Sequence, residues 1–340
     1  MDATIRTLPP GERITEAGFY RISLARHHAQ PCDGPSVTSG ILRTLDLKSP
    51  ADVWAFHPLN PDRYPSETTP AMLRGQAMAA FVEGGIDGLQ EAFYVLPTEP
   101  PRRPTPAQRK AVMEGRGSDT AVEAVEFWDS VEGSPRPVLS VTDTTEILLM
   151  GGALVADPAA RAVMAGEPEI TMAWRDDETG LWCLSRPDVV SLDGAAADYK
   201  RMAAGGRPFN AQLVDRRITD HGYDMQMAFA AEALERLTGS WPTAVGIVAQ
   251  SDAPPFHVIL RGFDDDTLRL AQWRNRRALR TFRSCLEAGR WPGPGEHVGT
   301  YRAPEWLLDR WLTEKSADDL ARQGQPEGDG LDFIQQEDAA

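Results

Sequence analysis

The chain has 340 residues, 41% hydrophobic and 25% charged, a composition that supports one large packed core or two modest ones without staples. Cys32, Cys183 and Cys285 are too few and too scattered for a disulfide framework, a paired zinc site or a four-cysteine iron–sulfur cluster, so a reducing, cytoplasmic setting is expected. The net charge of -15 excludes a uniformly basic nucleic-acid binder, leaving a local basic channel as the way to meet phosphates.

No run reaches the length of a membrane span, and Met1 to Gly11 lacks the basic and apolar blocks of a secretion signal, so no membrane contact is expected. Helical periodicity is expected over Ser36 to Trp54. It is expected again over Thr69 to Phe81, where Met72, Gly75, Ala79 and Phe81 make a pattern suited to close packing. The run PTEPPRRPTP, Pro97 to Pro106, cannot be regular structure and reads as a stiff connector. Ala107 to Ala165 reads as mostly helical. From Glu169 to Lys200 the pattern alternates, broken by DDETG and LDG turns, which gives two or three antiparallel strands. Helices follow over Tyr223 to Leu237 and Asp265 to Ala288, with an apolar strand around Ala244 to Ala249 between them.

From Ala317 onward seven acidic side chains stand against Arg322 alone, a tail expected to be disordered. The division is an N-terminal arm and helical segment over 1–65, a main domain over 66–315 with a helical insertion at about 97–165, and the acidic tail over 316–340. The fold class is α/β, a mixed central sheet of four or five strands flanked by helices.

Side chains two apart in a strand share a face, so Trp182, Leu184, Arg186, Asp188 and Val190 project together, as do Asp198 and Lys200, with Tyr199 turned into the core. A hairpin brings Asp188 beside Asp198 and Lys200. Two carboxylates suit Mg²⁺ or Mn²⁺, hard ions that prefer oxygen, and a nearby ammonium orients water and steadies developing charge. Glu169 on the preceding strand offers a third carboxylate, and the Tyr199 backbone carbonyl a further oxygen. Gln226 lies on the apolar stripe of Tyr223, Met227, Ala230, Leu234 and Leu237 and needs a polar partner, either this site or a backbone carbonyl. Arg269, Arg276, Arg280 and Arg283 fall within roughly 60° on one helix face, a candidate DNA-binding stripe unless local acids pair with it. The six histidines are scattered, and neither a G-x-G-x-x-G fingerprint nor a GK[ST] loop is present, so neither zinc nor a nucleotide cofactor is expected.

Four segments together resemble a known family over most of residues 20–312. They are PSVTSGILRTLDLKSPADVWAFHPLNP (Pro35 to Pro61), GEPEITMAWRDDETGLWCLSRPDVVSLDGAAADYKRM, HGYDMQMAFAAEAL and FRSCLEAGRWPG. The family is that of the exodeoxyribonuclease VIII (RecE)-like, PDDEXK-type nucleases. The resemblance implies metal ligands at Asp188 and Asp198, a catalytic Lys200, a supporting acid at Glu169 and a positioning Gln226. Arg186 joins the arginine stripe as an expected DNA contact. It further implies exonucleolytic degradation of linear double-stranded DNA in phage-type recombination, a single-strand annealing protein as partner, and a homo-oligomer. Two departures stand out. The family's G-x-x-x-H element reads Gly75 to Ala79 here, and its Q-x-x-x-Y reads Gln226 followed by Phe229 and Ala230. The retained acids and lysine favour an active deoxyribonuclease; the alternatives are a catalytically impaired DNA-binding or assembly protein, or an endonuclease of the same superfamily.

Overall fold

A computed structural model describes residues 4–65, 68–191, 194–296 and 299–323. Two five-stranded sheets form the framework. The first runs Ile5–Thr7, Gly18–Arg21, Thr171–Arg175, Trp182–Ser185, Ser36–Thr38 in spatial order. The second runs Val258–Gly262, Ala244–Ser251, Ala195–Met202, Val189–Ser191, Glu167–Pro168. Both sheets mix parallel and antiparallel pairs, which establishes the α/β class and the mixed sheet.

One strand pair serves both sheets. Pro168 lies opposite Val189 in the second sheet, and Met172 opposite Ser185 in the first, so a single register runs through the crossing. At the crossing Pro187 has no N–H to give the ladder, and Glu169 takes φ 57°, a left-handed conformation that bends the chain. The ladder therefore breaks and re-aims its side chains there, as strands do at bulges.

The helix Tyr223–Thr238 fills the space between the sheets. Met225, Met227, Ala228, Phe229, Ala230, Ala231 and Leu234 are all buried, so the helix is enclosed all round rather than along one stripe. It contacts strands of both sheets and the helices Ser39–Leu47 and Asp265–Ala288. The segments that carry the resemblance at its two ends pack against one another. Trp54 stacks on Trp291 at 4.5 Å, the Ala51 amide donates to the Pro292 carbonyl, and the Asn60 amide nitrogen ties back to the Trp54 carbonyl at 2.8 Å. HP-x-NP is thus a structural clasp.

Several elements differ from expectation. Ser36–Thr38 is a strand parallel to Trp182–Leu184, with the helix beginning at Ser39, because Val37 and Thr38 favour extended backbone and are buried at the sheet edge. The helix expected to end at Phe81 continues to Ala92, across a kink at Gly85. The helix Ala211–His221 and the strands Ile5–Thr7, Gly18–Arg21 and Val258–Gly262 had no clear sequence signal. Residues to Pro294 form one unit that includes the N-terminal segment. A second unit contains the helix Glu305–Gln323, so the expected tail is helical at its start, and the rest of it lies outside the described residues. Among the described residues no helix is long and apolar enough to cross a membrane. All three cysteines are buried.

Candidate active site

The hairpin of Val189–Ser191 and Ala195–Met202 pairs Ala197 with Val189, which places Asp188 opposite Asp198. The Tyr199 amide donates to Asp188 Oδ2 at 2.6 Å. A residue's N–H and C=O point to the same side of an extended strand, so the Tyr199 carbonyl also faces the Asp188 side, beyond the last paired residue of the neighbouring strand. On the opposite face of the sheet from Asp198 and Lys200, the Tyr199 ring joins an apolar cluster and its hydroxyl donates to Gln250 Oε1 at 2.6 Å.

Asp198 is almost wholly buried, and its Oδ2 is ion-paired with Lys200 Nζ. Its Oδ1 accepts from Gln226 Nε2 at 2.7 Å. Gln226 therefore faces the carboxylates, settling the choice the apolar stripe left open. Its Oε1 is buried without a hydrogen-bond partner. Lys200 Nζ also sits 4.9 Å from the centre of the Tyr223 ring.

Burial pushes the Asp188 carboxyl up to about 8, reinforced by the charges of Asp198 and Glu169 and opposed by Lys200 and the Tyr199 amide. Burial disfavours the Lys200 ammonium, but the Asp198 and Asp188 carboxylates outweigh it and hold Lys200 above its ordinary value. With both aspartates ionised, the pair would carry more negative charge than Lys200 neutralises, and Asp188 therefore holds its proton more tightly than an ordinary carboxyl.

Glu169 lies beside Asp188, its amide donating to the Asp188 carbonyl at 3.0 Å. Its carboxylate is held by Arg186, whose Nε donates to Glu169 Oε2 at 2.5 Å and whose Nη1 donates to the Ile22 carbonyl at 2.7 Å. With its side chain only 10% exposed, Arg186 is engaged by Glu169 and the Ile22 carbonyl within the chain. The arginine stripe is also largely paired within the chain. Arg276 meets Asp176 and Glu232, Arg280 meets Glu178, Arg283 meets Glu287, and Arg269 lies 3.7 Å from Asp266. Arg276 and Arg280 thereby fasten the long helix to the turn between Thr171–Arg175 and Trp182–Ser185.

A cleft of about 430 Å³ opens on this centre, lined by Glu169, Asp188 and Lys200 on one side and by Gly75, Ala79 and Glu83 of the helix Pro70–Ala92 on the other. Ala79, standing where the resembled family carries histidine, thus does face the carboxylates. A second cleft of about 450 Å³, lined by Ala195, Ala197 and Gly246, contains no carboxylate and offers no comparable chemistry.

The donor set is all oxygen: two carboxylates, a backbone carbonyl and the orphaned amide oxygen of Gln226. This fits a hard divalent cation. Among the described residues no three His, Cys, Asp or Glu side chains gather as a metal site, because Ala79 brings no donor and Glu169 is tied to Arg186. Sequence reasoning missed Arg43, which reaches the Tyr223 ring from the helix Ser39–Leu47. Only its place inside the PSVTSGILR segment hinted at it.

The architecture is a mixed α/β fold. Among solved structures it is similar to that of a protein from Eubacterium rectale provisionally named an exonuclease, with 13% identity and a TM-score of 0.56 over 85% of this chain and 98% of that one. The likeness is one of fold. No protein-family profile and no curated protein matches the chain.

Proposed function

We propose that the chain is a metal-dependent deoxyribonuclease that hydrolyses phosphodiester bonds of linear double-stranded DNA from an end. The observation that carries this reading is that Asp188 and Lys200 line one cleft, with Asp198 buried opposite Asp188, ion-paired with Lys200 and anchored by Gln226. A bound Mg²⁺ or Mn²⁺ supplies Lewis acidity to the phosphate and lowers the pKa of a water. Asp188, Asp198 and the Tyr199 carbonyl are the residues to hold it. Lys200 positions the attacking water and balances charge building on the phosphate. Gln226 fixes the orientation of Asp198, as outer partners of metal ligands do.

The exonuclease name of the Eubacterium rectale protein supports attack from an end. A role in phage-type recombination, a single-strand annealing protein as partner and a homo-oligomer belong to the same proposal and rest on the family resemblance alone. One observation favours a second reading, a DNA-binding protein that no longer cuts: with Ala79 bare and Glu169 occupied, the ligand set is small.

Time-resolved digestion of end-labelled linear duplex and of closed circles, with metal or chelator, separates these readings. Wild type is expected to shorten linear duplex only with metal, and Lys200→Ala to be at least about 100-fold slower. Equal rates for the two proteins defeat the role given to Lys200. Intact duplex with retained binding selects the second reading, and cut circles select an endonuclease.

A further inference from the structure

Arginines set into the main unit are matched by carboxylates: Arg186 by Glu169, Arg274 by Asp46 and Asp224, Arg276 by Asp176 and Glu232, Arg201 by Asp252. Arg43 differs. Among the described residues no carboxylate lies within ion-pairing reach of it, its Nε is buried without a hydrogen-bond partner, and its Nη1 donates to the His221 carbonyl at 3.1 Å. Its stem lies against the turn at Gly222, where φ is 63° and an added Cβ would come within 3.2 Å of Arg43 Cγ, so the close approach depends on glycine.

The guanidinium carbon is 5.7 Å from the Tyr223 ring centre, and Lys200 Nζ is 4.9 Å from that same ring. Two cations therefore flank one aromatic ring, and the one acid paired at this point, Asp198, is already taken by Lys200 and Gln226. Burial lowers the pKa of Arg43, with Asp198, Tyr223 and Asp224 only partly offsetting it. A set-in guanidinium without its own carboxylate is costly to the folded chain, whereas an incoming anion would relieve that cost. Arg43 remains partly exposed, so such an anion has access.

We propose that Arg43 is a phosphate anchor that takes a non-bridging oxygen of a DNA phosphate adjoining the Asp198–Lys200 centre. This deepens the nuclease reading and rests on it. Planar guanidinium donors suit phosphate oxygens, and the position beside Lys200 places the held phosphate next to the carboxylates.

The test uses the full chain in chelator, so that no cutting occurs, and measures binding of fluorescein-labelled linear duplex across a KCl series. Arg43→Met is expected to weaken binding about ten-fold and to reduce the salt slope by about one. Arg43→Lys is expected to recover part of the affinity. Without DNA, Arg43→Met is expected to melt at or above the wild-type temperature, because it removes a buried charge that lacks a partner. Inorganic phosphate is expected to raise the melting temperature of the wild type and not that of Arg43→Met. Wild-type affinity and slope in Arg43→Met overturn the assignment, as does a drop of several degrees in the melting temperature of both variants, which marks a structural arginine. If the wild type ignores DNA while phosphate still stabilises it through Arg43, the nuclease reading falls and the anion site stands.

Discussion

The Glu169 amide donates to the Asp188 carbonyl at 3.0 Å where the strand pair passes from one sheet to the other, while the Glu169 carboxylate turns to Arg186. The two acids are joined through the backbone and assigned different tasks through their side chains. Both line the cleft, but the Glu169 carboxylate is tied to Arg186 while the Asp188 carboxyl accepts from the Tyr199 amide. Glu169→Gln should therefore leave the Arg186 guanidinium, 10% exposed, without its counter-ion and cost about 3 kcal/mol. Urea unfolding reads that loss, and titration with Mn²⁺ should show metal affinity within about two-fold of wild type. Weakened metal binding at unchanged stability would return Glu169 to the ligand set.

Gln226 makes the complementary case. Its amide nitrogen holds Asp198 while its buried oxygen has no partner, so its polar groups serve the site rather than the helix. Gln226→Ala is expected to lower metal affinity and cleavage rate by roughly 10- to 100-fold, the usual effect of losing an outer partner of a ligand. Calorimetric metal titration beside digestion rates checks both. Full activity in the variant would show that Asp198 needs no such support.

The strand–turn–strand at the centre was legible because it is local. Period-two alternation sets the shared face of Asp198 and Lys200, and the short spacing between the paired residues Ser191 and Ala195 sets which acid comes opposite. Partners supplied from far along the chain were not legible. Arg186 is fixed by Ile22, 164 residues earlier, and nothing in CLSRPD distinguishes an arginine aimed at a carbonyl from one aimed at DNA. The strand Ser36–Thr38 was hidden for the same reason, since its parallel partner at Trp182–Leu184 lies in another part of the chain. Helical periodicity found Tyr223–Thr238 but not its enclosure, because small alanines on the far side read as neutral until both sheets close on them.

The arginine stripe illustrates how geometry redistributes charge. Arg276 serves Asp176, 1% exposed, and Glu232, 10% exposed, so Arg276→Met should destabilise the fold by about 3–5 kcal/mol in urea unfolding. Arg280 and Arg283 sit in exposed pairs, which contribute little. Arg280→Ala combined with Arg283→Ala is expected to leave both stability and the salt dependence of duplex binding near wild type. A shallower salt slope in that double variant would show that the stripe meets phosphates after all.

His27 gives the fold an acid sensitivity of calculable sign. The ring is buried in the main unit, its Nδ1 lies 3.0 Å from Thr171 Oγ1, and burial, aided by the charges of His28 and Arg186, depresses its pKa from 6.5 to about 3. The unfolded chain therefore binds this proton first. Stability from the neutral ring is complete above pH 6.5 and declines as pH falls toward 3, by about 2 kcal/mol at pH 5. His57, depressed to about 4 by burial, adds a loss of the same sign. Urea unfolding at pH 7.5 and pH 5 should show a smaller drop in His27→Asn, which keeps a polar atom for Thr171 but cannot take up the proton. The wild-type drop minus the variant drop isolates His27 from every carboxylate that titrates alongside it. A difference near zero would mean that the folded ring takes up its proton as readily as the unfolded one, and that Thr171 and its surroundings accommodate an imidazolium.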